Sequence, residues 1–303
     1  MNKVFAITCH KVTKALIFTV SYLSKFKENI IIIHVDKKSK MEEFKFLECD
    51  NVIFIKEREN IFWGSISQIK ATISLLQYSL LFNFEYFFLL SGDDVPVASN
   101  EIMNNFLKKN FGMDFFHFQD KRNNYVNPVF RVKYNYLNIH FMRRTSIVHK
   151  VGRRLHQVFK ILFINRNYTK NAYRLPVLYK GVNWFGATKS SVEYILNYIN
   201  ENPWYLALFR KSLCADEVFF HSIINTNVNS VFYFNNDSLN NALRYIDWHS
   251  GPEYPKILNN DDFFSIIKQQ VFFARKISDT FDLKMIENHI GCQSQNIKPP
   301  CFK

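Results

Sequence analysis

Apolar residues along this chain fall into two alternating patterns: short uninterrupted runs, and stretches in which they recur every three or four positions. Residues 4–8, residues 29–35 (NIIIIHV) and residues 87–90 are apolar almost without a break, as strands buried on both faces of a parallel sheet are. Residues 52–55 form a shorter run of the same kind. Between these runs, residues 13–26 and the stretch carrying Ile66, Ile69, Ile73, Leu76 and Leu80 each present one apolar helical face. Strand, helix, strand at such intervals predicts parallel pairing through right-handed crossovers. The first hundred residues therefore read as a doubly wound, nucleotide-binding half. Further on, the spacing predicts a strand over 182–187, helices over 190–200 and 215–224, and another helix over 262–274, with loops at 235–237 and 243–255.

The segment FFLLSGDDVPV, residues 87–97, carries the strongest local signal. Its apolar run stops on Ser91-Gly92, which is turn chemistry. Asp93 and Asp94 are thereby delivered to the carboxyl end of a strand, the edge where open α/β sheets bind ligands. Pro96 keeps that strand from continuing as a central ladder. Taken alone, an Asp-Asp pair is equally a turn and helix-capping signal, so the remainder of the chain has to decide.

Composition narrows the choice. With 303 residues, 48% of them hydrophobic and 17% aromatic, the chain has ample material for one large packed core. No window reaches the roughly 18 consecutive apolar residues of a membrane span, and the N-terminus enters a strand directly. Neither signal peptide nor anchor helix is read, and a cytoplasmic location is expected. The five cysteines, Cys9, Cys49, Cys214, Cys292 and Cys301, include no CxxC pair. They read as reduced thiols, with Cys292 and Cys301 the one candidate for a local bridge.

The net charge of +13 is concentrated: residues 121–192 hold fifteen Lys or Arg and no Asp or Glu. Within that stretch Ile147, Val148, Val151, Leu155, Val158, Phe159, Leu162 and Phe163 recur at helical spacing beside Arg143, Arg144, Lys150, Arg153, Arg154 and Lys160. A basic amphipathic helix over 143–163 suits an anionic membrane surface, at about 1 kcal/mol per cation near the headgroups. It equally suits a surface helix whose apolar side faces the protein's own core, and the sequence leaves both readings open. There is no zinc finger, helix-turn-helix or RNP signature, so nucleic acid is not an expected partner.

Three more segments carry candidate chemistry. CADEVFFHSII (214–224) places Asp216 and Glu217 in the first turn of a helix, where acids either complement the helix dipole or serve as a general base. VFFARKIS (271–278) places Arg275 and Lys276 near the end of the helix expected there, as dipole partners or as a clamp on a diphosphate. LRYIDWHSGPEYP (243–255) gathers Arg244, Asp247, Trp248 and His249 in an expected loop suited to a sugar or nucleotide. The chain has no Asp-x-Asp motif and no His/Cys cluster, so no metal is expected.

In this order the segments resemble glycosyltransferase family 14, the core-2/I-branching β-1,6-N-acetylglucosaminyltransferases and peptide O-xylosyltransferases. The similarity runs from the turn at His10 through IIIHVDKKS, FWGSISQIKATISLL and YFFLLSGDDVPV. It resumes at GVNWFGATKSSVEYI, ADEVFFHSII, RYIDW and FFARKIS. The resemblance implies an α/β GT-A fold with a Rossmann-like, mostly parallel sheet covered by helices on both faces. It also implies inverting transfer from a UDP-sugar to a glycan or glycolipid hydroxyl, without cofactor or metal. On this reading residues 1–303 form one catalytic domain: 1–120 a nucleotide-sugar-binding half, 121–180 the basic, partly helical segment, and 181–303 the acceptor-binding and catalytic half.

Segment by segment, the resemblance implies Glu217 as general base and Lys276 on the diphosphate, with Arg275 and Arg244 as helpers. It further implies donor contacts from His10, Asp36, Asp94 and Trp184, and acceptor contacts from Trp184, Asp216 and Trp248. Asn183 stands where the xylosyltransferases carry an acid, which points away from a xylosyl donor and toward N-acetylglucosamine. Without an anchor or a luminal disulfide framework, the chain resembles a bacterial, cytosolic relative acting on lipooligosaccharide or capsule. The competing readings are a metal-dependent transferase using Asp93 and Asp94, and a non-catalytic membrane- or polyanion-binding protein.

Overall fold

A computed structural model describes residues 1–142 and 146–294. Arg143 and Arg144 of the basic stretch, and Cys301 of the candidate bridge, lie outside the described residues. Cys9, Cys49, Cys214 and Cys292 are free thiols.

The uninterrupted apolar runs form the centre of the molecule. Strands β1 (Lys3–Cys9), β2 (Asn29–Val35), β3 (Val52–Phe54) and β4 (Tyr86–Ser91) pair in parallel in the order β3-β2-β1-β4. Between them run α1 (Lys14–Leu23), capped by the Thr13 side chain on the Leu16 N–H, and α2 (Ile66–Ser79), capped by Ser65. Each cap accepts a hydrogen bond that the first turn of a helix would otherwise leave unmade.

After β4 come β5 (Val95–Pro96), α3 (Asn100–Lys109), β6 (Met113–Asp114), α4 (Val129–Lys133), α5 (Ile147–Val158) and α6 (Arg166–Asn171). Strand β7 (Gly186–Thr188) then returns to the main sheet, antiparallel to β4. The chain finishes with α7 (Lys189–Glu201), α8 (Pro203–Leu208), α9 (Asp216–Ile224), β8 (Val231–Phe232), β9 (Arg244–Ile246), α10 (Phe263–Ile267), β10 (Phe273–Arg275) and α11 (Leu283–Ser294).

Alternate residues of the central strands feed two separate cores, which is why their sequence reads as apolar on both faces. Ala6, Ile32, Phe87 and Leu89 pack with Ile69 and Leu76 of α2, Ile195 of α7 and Phe219 of α9. Phe5, Ile7, Ile33 and Phe88 pack on the opposite face with Leu16 and Val20 of α1 and Met103 and Leu107 of α3. The α/β class, with a mostly parallel Rossmann-like sheet and helices on both faces, is therefore the observed architecture.

Three expected elements are corrected. The helix expected over 262–274 ends early: a capping box between Asn259 and Asp262 starts a short helical turn, and α10 stops at Ile267. Residues 273–275 are instead strand β10, paired in parallel with β9 and antiparallel with β5. Arg275 and Lys276 thus leave a strand, not a helix C-terminus. Likewise the loop expected from 243 begins as strand β9, in which Arg244 and Ile246 point inward and Tyr245 is half-buried. The strand expected over 182–187 is shorter and later, at Gly186–Thr188.

Candidate active site

The loops at the carboxyl ends of β1, β2 and β4 meet at one edge of the sheet. Asp36, the first residue beyond β2, is only 4% exposed. Its N–H donates to the Cys9 carbonyl at 2.8 Å, while its Oδ1 accepts from the N–H groups of Lys38 at 3.0 Å and Ile61 at 3.4 Å. Its second oxygen faces Lys38 Nζ at 3.2 Å. Beside it, the His10 carbonyl accepts from the Ser39 hydroxyl at 2.5 Å, and the His10 side chain stands exposed. The turn after β4 closes against β1 through the Gly92 N–H, which donates to the Thr8 carbonyl at 2.9 Å. A Cβ on Gly92 would lie 2.9 Å from Cys9 Cβ, so the close approach of these two strand ends requires glycine.

Asp94 does not face solvent. It is fully buried, accepting from the Ser91 N–H at 2.6 Å and from the Ser91 hydroxyl, and it pairs with Arg244 Nη1 at 2.5 Å. Arg244, 1% exposed, spends a second donor on the Leu89 carbonyl at 3.0 Å. Burial lowers the Arg244 pKa to about 10, with Asp94 working against that fall, so the guanidinium stays charged at neutral pH. Arg275 approaches the same carboxylate with Nε at 4.0 Å and lays its guanidinium 4.3 Å above the centre of the Trp184 ring. Arg244 sits 5.3 Å from that ring, making Trp184 the aromatic floor of a two-arginine stack.

Lys276 extends the cationic row outward. Its Nζ is 3.8 Å from Asp93, and its side chain is 37% exposed, the most accessible of the three cations. The Ile277 N–H donates to the Asp93 carbonyl at 3.1 Å and ties the two turns together. Arg244, Arg275 and Lys276 thus outnumber Asp93 and Asp94, which leaves the row a surplus positive charge for an anion. Among the described residues no cluster of three or more His, Cys, Asp or Glu is arranged to hold a metal ion.

Glu217 lies in the first turn of α9, reached through Cys214 in a left-handed conformation, φ 49°. The Cys214 N–H donates to the Gly64 carbonyl at 2.7 Å, which joins this turn to the loop carrying Ile61 and hence to Asp36. Glu217 Oε2 sits between Lys180 Nζ at 3.3 Å and Arg131 Nη2 at 3.4 Å, with about a quarter of its side chain exposed. Its neighbour Asp216 is buried, and burial followed by the adjacent Glu217 charge pushes its pKa up to about 7.

The Gly181 N–H donates to the Glu217 carbonyl at 2.9 Å. A Cβ at Gly181 would fall 2.0 Å from the His117 carbonyl oxygen and 2.2 Å from His221 Nε2, so no larger residue fits between these elements. From Gly181 the chain passes through Trp184 to Phe185, whose carbonyl accepts from the Leu89 N–H at 3.0 Å. The segment 180–185 therefore connects the Glu217 cluster to the Trp184–Arg244–Arg275 cluster.

These contacts bring His10, Asp36, Asp94, Trp184, Asp216, Glu217, Arg244, Arg275 and Lys276 to one edge. They do not reach Trp248, which is exposed on the loop after β9. Lys180, Arg131 and Gly181 are not among the site residues expected from sequence. Both cations belong to the acid-free stretch, but nothing local distinguishes them from the other thirteen.

Fold and site together define a Rossmann-like α/β protein whose ligand edge carries a cation row and a separate carboxylate held between cations. Residues 4–271 match the Core-2/I-Branching enzyme family, and the chain belongs to that family of glycosyltransferases. It is 24% identical over 290 residues to xylosyltransferase 2 of Rattus norvegicus and, to the same degree, of Homo sapiens. The match covers 86% of this chain and 30% of those relatives, so the chain spans less than a third of their length. Among solved structures, S. aureus TarS overlaps 47% of this chain and 26% of its own, with 11% identity and a TM-score of 0.30. TarS 1–349 in complex with UDP-GlcNAc overlaps 43% of this chain and 38% of its own, with 12% identity and a TM-score of 0.29.

Proposed function

We propose that this chain is an inverting glycosyltransferase that moves a sugar, N-acetylglucosamine in the first instance, from a UDP-sugar to a hydroxyl of a bacterial surface glycan such as lipooligosaccharide or capsule. The observation that carries the reading is the pairing, on one sheet edge, of a partly exposed carboxylate, Glu217, with a cation row, Arg244–Arg275–Lys276, packed on Trp184. Family membership supplies the reaction class. The position of Asn183, where the xylosyltransferases carry an acid, favours an N-acetylglucosaminyl over a xylosyl donor.

In this reading the nucleoside lies by Asp36 and the diphosphate lies along Arg275 and Lys276. Glu217 takes the proton of the acceptor hydroxyl as that oxygen attacks the anomeric carbon. UDP departs from the opposite face, so the new bond is β. Negative charge grows on the departing β-phosphate oxygen, and a preplaced Lys276 stabilises that transition state more than the ground state. Asp94 is already engaged by Ser91 and Arg244, and Asp93 faces Lys276. That pairing supports charge neutralisation of the diphosphate by side chains, without a metal. Arg131 and Lys180 beside Glu217, within a stretch free of acids, support an acceptor that itself carries phosphate or carboxylate.

The test is a panel of UDP-sugars incubated with the purified protein, with and without chelator, reading UDP release and transfer. Selective, chelator-resistant use of one donor is expected. Glu217→Gln should lower turnover about 10²–10⁴-fold, the range for a lost general base, with folding unchanged. A well-folded Glu217→Gln protein that retains wild-type turnover would overturn the assignment, and turnover abolished by chelator would move the role to a metal held at Asp93 and Asp94.

A further inference from the structure

Helix α5 is built the wrong way round for a surface helix. Such a helix ordinarily buries its apolar stripe and exposes its charges, yet the only buried residue of α5 is His156. His156 is fixed by two hydrogen bonds, its Nε2 donating to the Asn135 carbonyl at 3.0 Å and its Nδ1 accepting from His140 Nε2 at 3.1 Å. Arg153 also turns inward, its Nε donating to the Ile139 carbonyl at 2.9 Å. The polar side of the helix is therefore the side attached to the protein.

The apolar side is left outside. Ile147 and Val148 are each 79% exposed, Val158 72%, Leu155 54% and Val151 49%. At 100° per residue these five fall within an arc of about 100°, with Lys150 and Arg154 along one flank. The following turn continues the face with Ile161 and Leu162, 69% and 76% exposed. Exposed apolar area of this extent, contiguous along one helix, marks an interaction surface.

Charge selects the partner. No acid occurs between residues 121 and 192, so no carboxylate of that stretch offsets Lys150 and Arg154 on the rim of the face. Where the face ends at Leu162, a groove of about 450 Å³ opens, lined by Asn135, Tyr136, Arg166, Arg210 and Lys211. It offers three cations and neutral donors, with no carboxylate, which is a setting for a phosphate headgroup. An apolar stripe with a basic rim is the design of a helix lying in a bilayer interface.

We propose that α5 and the turn after it dock this protein onto an anionic lipid surface, with a lipid phosphate entering the Arg166–Arg210–Lys211 groove. The face is rigidly joined to the carboxylate site: the Asn135 N–H donates to the Phe163 carbonyl at 2.8 Å, and the Asn165 N–H to the Lys133 carbonyl at 2.9 Å. These bonds tie the docking turn to the end of α4, whose Arg131 touches Glu217. Docking therefore sets the acceptor side of the edge close to the membrane. The exposed apolar face of α5 does not depend on the transfer reaction.

The experiment is sedimentation of the full chain with phosphatidylglycerol-containing vesicles and with pure phosphatidylcholine vesicles. Binding to the anionic vesicles, weakened by added salt, is expected, with little binding to the neutral ones. Lys150→Glu/Arg154→Glu should reduce partitioning at least about thirtyfold, at roughly fivefold per cation. Val148→Asp/Leu155→Asp should abolish it while circular dichroism and UDP affinity stay at wild-type values; neither variant touches the carboxylate site. Equal partitioning to both vesicle types, or retained binding by the Val148→Asp/Leu155→Asp protein, would overturn the proposal. So would a wild-type dimer that this variant dissociates, which would make a second copy the occupant of the face.

Discussion

Asp94 and Arg244 form the most costly pair of side chains at the edge. Both are removed from water, so each ion is stable only because the other is present and because Ser91 and the Leu89 carbonyl take the remaining hydrogen bonds. Asp94→Asn would leave a buried guanidinium without its counter-ion and should cost about 3–5 kcal/mol of stability. Urea denaturation reads that loss directly, and an Asp94→Asn protein within about 1 kcal/mol of wild type would mean that the arginine finds another partner. On the proposed reading Asp94 is a positioning residue that fixes Arg244 near Trp184, and Arg275 and Lys276 would meet the diphosphate. Asp93, facing an accessible lysine at 3.8 Å, carries little of this burden.

At the scale of elements, α9 packs against residues 116–118 and Gly181 through the side chain of His221. His221 is fully buried, both ring nitrogens lack a partner among the described residues, and Phe116 and Phe118 meet its ring edge-on. Burial, then the nearby His117, drives its pKa down to about 3, and burial with His156 drives that of His140 down to about 4. A group protonated in the unfolded chain near 6.5 but neutral in the fold makes stability fall as pH falls through that window. Asp216, with its folded pKa raised to about 7, acts in the opposite sense, since stability then falls as pH rises from about 4 to 7. The histidines with lowered pKa, His34, His117, His140, His221 and His289, outnumber the aspartates with raised pKa, Asp114 and Asp216, so net stability should decline between about pH 6.5 and 4. His221→Phe should flatten that decline in urea titrations run across the same range; an unchanged slope would assign the acid sensitivity elsewhere.

The parts of this arrangement that were legible in the sequence are those set by local pattern. Continuous runs such as NIIIIHV read as doubly covered strands, and residues 13–26 and Ile66 to Leu80 read as helices from their apolar spacing. What escaped was set by distant contacts. The three residues of β10 follow a short helix closely, and periodicity alone cannot place the boundary between them. The stripe on α5 was visible, but its outward direction depends on His140 and Asn135, which receive His156. Lys180 and Arg131 become special only because α9 places Glu217 between them.

Across the whole molecule, the edge is assembled from segments that lie far apart along the chain, and this makes ligand binding a global quantity. The turn at Asp93 continues into β5, β5 pairs with β10, and β10 carries Arg275 directly into Lys276. A UDP moiety held by those cations and by the Asp36 loop would therefore bridge the first strands to the last sheet. Free ligand at 100 times its dissociation constant should add about 2.7 kcal/mol to the unfolding free energy. Lys276→Ala separates binding from folding, because a partly exposed pair at 3.8 Å contributes only about 0–1 kcal/mol to the unliganded protein. The variant should thus unfold nearly as wild type without UDP, yet at the same UDP concentration lose at least about 1.4 kcal/mol of the stabilisation, the equivalent of a tenfold weaker complex. The loss should shrink as salt rises, since an accessible lysine is screened over about 8–10 Å at ordinary ionic strength. If Lys276→Ala retained the full UDP-dependent shift, the diphosphate would have to lie on Arg131 and Lys180 instead, and the donor and acceptor sides of the edge would exchange places.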